Sequence, residues 1–254
     1  MRSIHSAYLG LPLLLLAGAV QATNIDVECN VESDYDFALS EKSVIFTRET
    51  ETPKAIVMRQ GRLFVDDRWV ELSPADSKRI ADYERDARAT MPLARQIGLD
   101  AADIAFTALG EVAAGFGSDP SRTRAKLDKA RKVLDQELTR SISANHYNSE
   151  AMGESIGDAV KEVMPSLVGD IVSGALGAAF SGDAERMKRL ENMDKDIEAR
   201  IKPRADALEV RARALCRKME SLDAIDNALE YRLQNGKPLD LLEIKPPEHR
   251  RKDD

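Results

Sequence analysis

The side chains with the richest chemistry are few in this chain. It carries two cysteines, Cys29 in DVECNV and Cys216 in ALCRKMES, and three histidines, His5, His146 and His249. A zinc centre needs about four nitrogen, sulfur or oxygen ligands brought together, and such scattered histidines do not supply them. A serine hydrolase needs a histidine base and a presented nucleophile, and no GxSxG elbow exists. His146, near Ser143, Tyr147 and Ser149, is the one place where such a site could be assembled, which leaves a hydrolase using this loop as an alternative. The run GEVAAGFGSD has Gly110, Gly115 and Gly117 but lacks the Lys-Ser/Thr ending that grips phosphate and magnesium, and its glycines serve better to end a helix. Neither ESDYDF nor NMDKDIE continues as a calcium loop. The paired Asp66 and Asp67 fit a hairpin tip. No catalytic residue, cofactor or metal is assigned, and the expectation is a protein that is not an enzyme. The cysteines are not adjacent, so they form no CxxC redox pair.

The two thiols gain a purpose from the first residues of the chain. Arg2, an apolar run from Leu9 to Val20 and small residues at Val20 and Ala22 form a secretory signal pattern over residues 1–22, with cleavage after Ala22. The apolar run is too short for a stable membrane anchor. No twin arginine is present, and Cys29 lies too far beyond the cut to be a lipid-attachment cysteine. An exported chain meets an oxidising compartment, so the expectation is a disulfide between Cys29 and Cys216 in a soluble mature protein.

Charge narrows the partners further. Lys and Arg number 37 against 44 Asp and Glu, for a net charge of −7, and the loss of Arg2 with the signal adds one more negative unit. Only 5% of residues are aromatic. Nucleic acid demands concentrated positive charge and often stacking rings, so no nucleic-acid partner is expected. Anionic lipid is disfavoured for the same reason. The basic cluster in SRTRAKLDKARK, from Arg122 to Lys132, lies opposite a leucine stripe and is expected to be a solvated face.

Periodicity then supplies the elements. SVIFTR, KAIVMR, RLFVD and WVEL are short runs rich in branched and aromatic residues, separated by Gln60-Gly61 and by Asp66-Asp67-Arg68. They predict a small antiparallel meander over residues 23–72, with Cys29 on or beside its first strand. At LSPADSKRIADY the period changes to that of a helix, with Ser73 as N-cap, Pro74 in the first turn and Asp76 beside the helix dipole. Ile80, Tyr83, Ala87 and Met91 share one face. Pro92 is expected to interrupt this helix, and the stretch 93–116, apolar nearly all round, to be buried. Pro120 opens another helix with a stripe of Leu127, Ala130, Leu134, Leu138 and Ile142, ended by the polar loop SANHYN.

The segment 163–180, rich in glycine and alanine, carries Asp170 and Pro165, which favours burial within the protein over a membrane span. Residues 183–236 form the longest helical pattern, with a stutter and Pro203 near Ile201 predicting a kink or break. Its apolar stripe must pack on the preceding helices or on a second copy. Cys216 lies at the edge of that stripe. The charged, proline-punctuated end from residue 237 to 254 reads as a flexible tail.

These pieces define an α+β fold that is mostly α. A small N-terminal antiparallel meander is followed by a helical core over residues 73–182 and a long, coiled-coil-like C-terminal helix tied by its disulfide to the β layer. The succession of an early VEC, the hairpin GRLFVDDRWVELS followed by IADY, and the late ALCRKMESLD resembles the YggN-like periplasmic proteins of Gram-negative bacteria, a family of unknown function. The resemblance implies a periplasmic location and brings no activity or site residue with it. Two functional readings remain. One is a non-enzymatic interaction or structural protein of the cell envelope, contacting a protein partner or itself through the C-terminal helix. The other is a carrier of an apolar ligand lined by Ile104, Leu109, Leu167, Ile171 and Leu176.

Overall fold

The fold comes from a computed structural model that describes residues 29–116, 119–154, 156–158, 161, 168–169, 172–173 and 184–245. The expected signal peptide, most of the apolar segment 163–180 and the last nine residues of the expected tail lie outside the described residues.

The β signals produce strands where alternation and turn chemistry agree. After β1 (Asn30–Glu32) come β2 (Asp36–Leu39), β3 (Val44–Thr47), β4 (Ala55–Arg59), β5 (Arg62–Val65) and β6 (Arg68–Trp69). Strands β2 to β6 form an antiparallel meander, and β7 (Tyr147–Asn148) adds to its far edge, giving the order β6-β5-β4-β3-β2-β7. Between β4 and β5, Gln60 and Gly61 take φ values of 53° and 72°, the pair of left-handed residues that a two-residue hairpin turn requires. Glu84 clasps this tip, accepting the amides of Gln60 at 3.1 Å and Gly61 at 2.9 Å.

Helix α1 (Pro74–Phe116) starts as its sequence dictates: the Ser73 hydroxyl accepts the amide of Asp76 at 3.1 Å. Helix α2 (Pro120–Ser141) starts on Asp119, whose side chain accepts the amide of Arg122 at 3.0 Å. Helix α3 (Ala184–Asn227) packs back along α1. A strap then returns to the sheet and ends in β8 (Glu243–Lys245).

The core forms where the inner sheet face meets the first turns of α1. Val44, Phe46, Ile56, Met58 and Leu63 are buried against Ile80, Tyr83, Ala87 and Met91, the face that helical spacing predicted. Farther along α1, carboxylates hold its neighbours. Asp103 receives Arg131 of α2 at 2.6 Å and Arg204 of α3 at 2.7 Å, and Asp100 receives Arg211 at 2.8 Å.

Several expectations need correction. Pro92 and Pro203 do not break their helices; both lie inside continuous ones. Each proline is exposed, so the carbonyl one turn before it, left without an amide partner, is on the solvent side. Met91 beside Pro92, and Ile201 and Ala205 on either side of Pro203, are buried, so the packed face of each helix runs on past its proline. The stretch 93–116 is mostly half-buried rather than enclosed, because α2 and α3 only flank it. The SANHYN loop ends in β7, where Tyr147 packs on Phe37 with ring centres 5.7 Å apart. Cys29 does not precede a strand of the meander: β1 pairs with β8 in a separate ribbon, Val31 opposite Ile244. The tail does not begin at 237 either, since Leu239, Leu241 and Leu242 are buried and bring the strap into the core.

Candidate interaction surface

Two buried carboxylates fasten the strap that follows α3, which ends at Asn227 rather than at the expected 236; residues up to 236 are expected from sequence as helix and those from 237 as tail. Asp76 accepts the amides of Glu230 at 3.0 Å and Tyr231 at 2.8 Å, together with Arg79 at 2.8 Å. Burial alone would raise its pKa, but these donors outweigh it and hold the carboxyl below the usual carboxylate range. Asp226 accepts the amides of Leu241 at 2.8 Å and Leu242 at 3.1 Å on one oxygen, while its other oxygen is buried with no hydrogen-bond partner. Here desolvation wins over the two amides. With Asp223 and Asp240 adding negative charge, it pushes the carboxyl up to about 7. The Ser33 hydroxyl donates to the carbonyl of Leu241 at 2.7 Å, and the Cys29–Cys216 disulfide joins the ribbon to α3 across 187 positions, with Cα atoms 5.9 Å apart.

These groups are engaged in holding backbone. So are those lining a polar cleft of about 250 Å³ between the β3–β4 loop and the strap. Its guanidinium, Arg48, donates to the carbonyl of Pro53 at 2.9 Å and lies 4.4 Å from the ring centre of Tyr35, with Glu51 at 3.6 Å. The hydrolase candidates do not converge: the Ser143 hydroxyl meets the backbone carbonyl of His146 at 3.4 Å, and the imidazole is exposed. Ile104 and Leu109 are half-buried on α1, and Leu109 packs against Ala113 and Leu127; Leu167, Ile171 and Leu176 lie outside the described residues. Among the described residues, no cluster of three or more His, Cys, Asp or Glu could hold a metal, and no helix is long and apolar enough to cross a membrane. In the basic cluster, Arg131 is drawn to Asp103 and Asp135.

The C-terminal helix, expected to offer its apolar stripe to a partner, spends much of it inside the molecule. Ile201, Ala205, Leu208 and Leu222 are buried, and α3 lies along α1. Val133 on α2 and Val210 on α3 are exposed singly, whereas a contiguous half-open apolar row lies on the sheet. Strand alternation puts Val44, Phe46, Ile56, Met58, Leu63 and Val65 inward, so the intervening residues face out. Register aligns them into one row across the sheet, Ala38 opposite Ile45, Ile45 opposite Val57, Val57 opposite Phe64, and Phe64 opposite Trp69. None of the five is among the hydrophobics packed on the core. Trp69 is 42% exposed, meets Phe64 edge-on with ring centres 5.4 Å apart, and carries the Arg62 guanidinium 4.2 Å from its ring centre. Such a row can bury apolar and aromatic area against another protein surface, with Arg62 as a polar handle.

Sequence reading named the runs that hold β3 to β6 but not β2, and missed this row. The signal was present, because VIF, AIVM and LFV are apolar at successive positions, as strands covered on both faces are, whereas a half-solvated strand alternates.

The chain belongs to the family described as Protein of unknown function (DUF2884), which matches residues 29–242, from the bridging cysteine to the strap. No curated protein and no solved structure matches the chain.

Proposed function

We propose that this is an exported, non-enzymatic interaction protein of the cell envelope that docks a protein partner on the outer face of its sheet. The observation that carries the proposal is the unbroken row from Ala38 to Trp69, apolar on the side of the sheet turned away from the core. An apolar aromatic surface of this kind costs solubility unless something covers it. Export is supported by the signal pattern over residues 1–22 and by the Cys29–Cys216 disulfide, a bond that persists in oxidising compartments. The YggN-like resemblance supports the periplasm as that compartment. In the entropy treatment of cross-links, a loop this long contributes roughly 5 kcal/mol, which suits a surface that must stay rigid without cytosolic chaperones.

The test is photo-crosslinking in intact cells from the full exported chain, with the reactive residue at Val57 on the row or at Val210 on α3. Val210 is 67% exposed and serves as the control. A discrete adduct from position 57 and none from position 210 is expected. Equal or absent labelling at the two positions would remove the sheet face as the docking surface.

A further inference from the structure

The row is flanked by opposite charges. On one side Arg59 and Arg62 stand opposite each other on β4 and β5, both exposed. On the other side are Asp36, at the start of β2, and Asp66, in the left-handed turn just past β5 (φ 53°), whose Oδ1 accepts the amides of Lys54 at 2.6 Å and Ala55 at 3.2 Å; both residues are exposed. Arg68, paired with inward-facing Val65, is on the opposite side of the sheet, Lys54 lies exposed just before β4, and Glu41 and Lys42 at the β2–β3 tip carry opposite charges. Arg62 and Asp66 are each two residues from Phe64, about 13 Å apart along the strand with the ring midway.

This arrangement is self-complementary. A half-turn about an axis running along the row, in the plane between two stacked sheets, lays the row of one copy on the row of another. The same operation reverses the strand direction, so Arg62 of one copy comes over Asp66 of the second, and the reverse. Trp69 and Phe64 meet their own counterparts. An isologous contact needs one patch that complements itself, and face-to-face sheets pack about 10 Å apart with strands nearly aligned. The competing geometry, in which a copy keeps its strand direction, sets arginine on arginine and aspartate on aspartate and is repelled.

We infer that the partner on this face is a second copy of the chain, forming a two-fold dimer through the outer sheet row. The inference rests on that face being the docking surface.

Sedimentation of the full, disulfide-bonded chain across micromolar concentrations tests it. A monomer–dimer equilibrium is expected. Trp69→Ala should weaken it by about thirtyfold, as loss of a central aromatic anchor does, while leaving the thermal melt in place, since Trp69 lies outside the core. Arg62→Asp, which sets like charges against Asp66 of the second copy, should weaken the dimer independently. Both native cysteines are held in the disulfide, so a new cysteine is the sole free thiol. Val57→Cys, on the axis, should link to itself under mild oxidation, and Thr47→Cys, off the axis, should not. A chain that stays monomeric, a dimer indifferent to both substitutions, or equal linkage at positions 47 and 57 overturns the dimer. If position 57 crosslinks a different protein in cells while the purified chain stays monomeric, the docking face survives and the homodimer falls.

Discussion

Asp226 combines a structural task with an unfavourable setting. Its carboxyl is 1% exposed, carries two strap amides on one oxygen and leaves the other unpaired. Its folded pKa of about 7 lies above the ordinary 3.8, so the fold favours the protonated form. The sign follows from linkage: this contribution is fully favourable below pH 4, declines as pH rises from about 4 to 7, and is gone above that. At about 1.4 kcal/mol per unit the swing is roughly 4 kcal/mol, with Asp223 and Asp240, also raised by burial, adding in the same direction. Asp226→Asn keeps an acceptor for the Leu241 and Leu242 amides without ionising. Urea midpoints at pH 5 and pH 8 should therefore differ clearly less in the variant than in the native chain. An unchanged difference would show that Asp226 does not set it. Asp76 has the opposite shift, and its contribution is lost only at more acid pH, as the carboxyl protonates. Sequence named Asp76 for its place in the first helical turn, but neither carboxylate's task was legible, because the amides Asp76 holds lie in a stretch that reads as the end of the long helix and those Asp226 holds lie in one that reads as solvated tail.

At the level of elements, local chemistry was legible where one residue type has one use. The Gln60-Gly61 turn, the Ser73 cap and the Ile80, Tyr83, Ala87, Met91 face all follow from residue type and spacing. The turn is also tightly constrained. At Gly61 the backbone has φ 72°, and a Cβ would come 2.8 Å from the Ser77 carbonyl oxygen in the first turn of α1. Gly61→Ala should therefore cost about 2 to 3 kcal/mol, part from the left-handed backbone and part from moving sheet and helix apart. A urea midpoint corresponding to less than about 0.5 kcal/mol would contradict this packing. The two internal prolines do not break their helices because a proline's penalty is local, whereas the packing of each helix's buried face against its neighbours extends along its whole length. Similarly, β7 and β8 are two and three residues long and owe their pairing to distant partners. Nothing in their own sequence could reveal them.

Over the whole molecule, the chain closes on itself at one end. The ribbon of β1 and β8, the strap and the Cys29–Cys216 disulfide bring both ends of the family match together beside α3. The class of fold could be anticipated from periodicity, and the pairing of the cysteines from the secretory signal pattern over residues 1–22. The open surface could not, because strand sequence shows that both faces of the sheet are apolar but not which one the helices cover. Helices α1 and α3 pack along one another, and the sheet's outer row is the contiguous apolar surface among the described residues that the proposed docking explains. The protein carries its own reporter there, since Trp69 is its single tryptophan. The most direct measurement is the emission of Trp69 in the dilute chain and in its isolated assembly, with acrylamide quenching in each. Docking on this face predicts a blue shift and reduced quenching in the assembly; an assembly whose Trp69 emission and quenching match those of the free chain would contradict it.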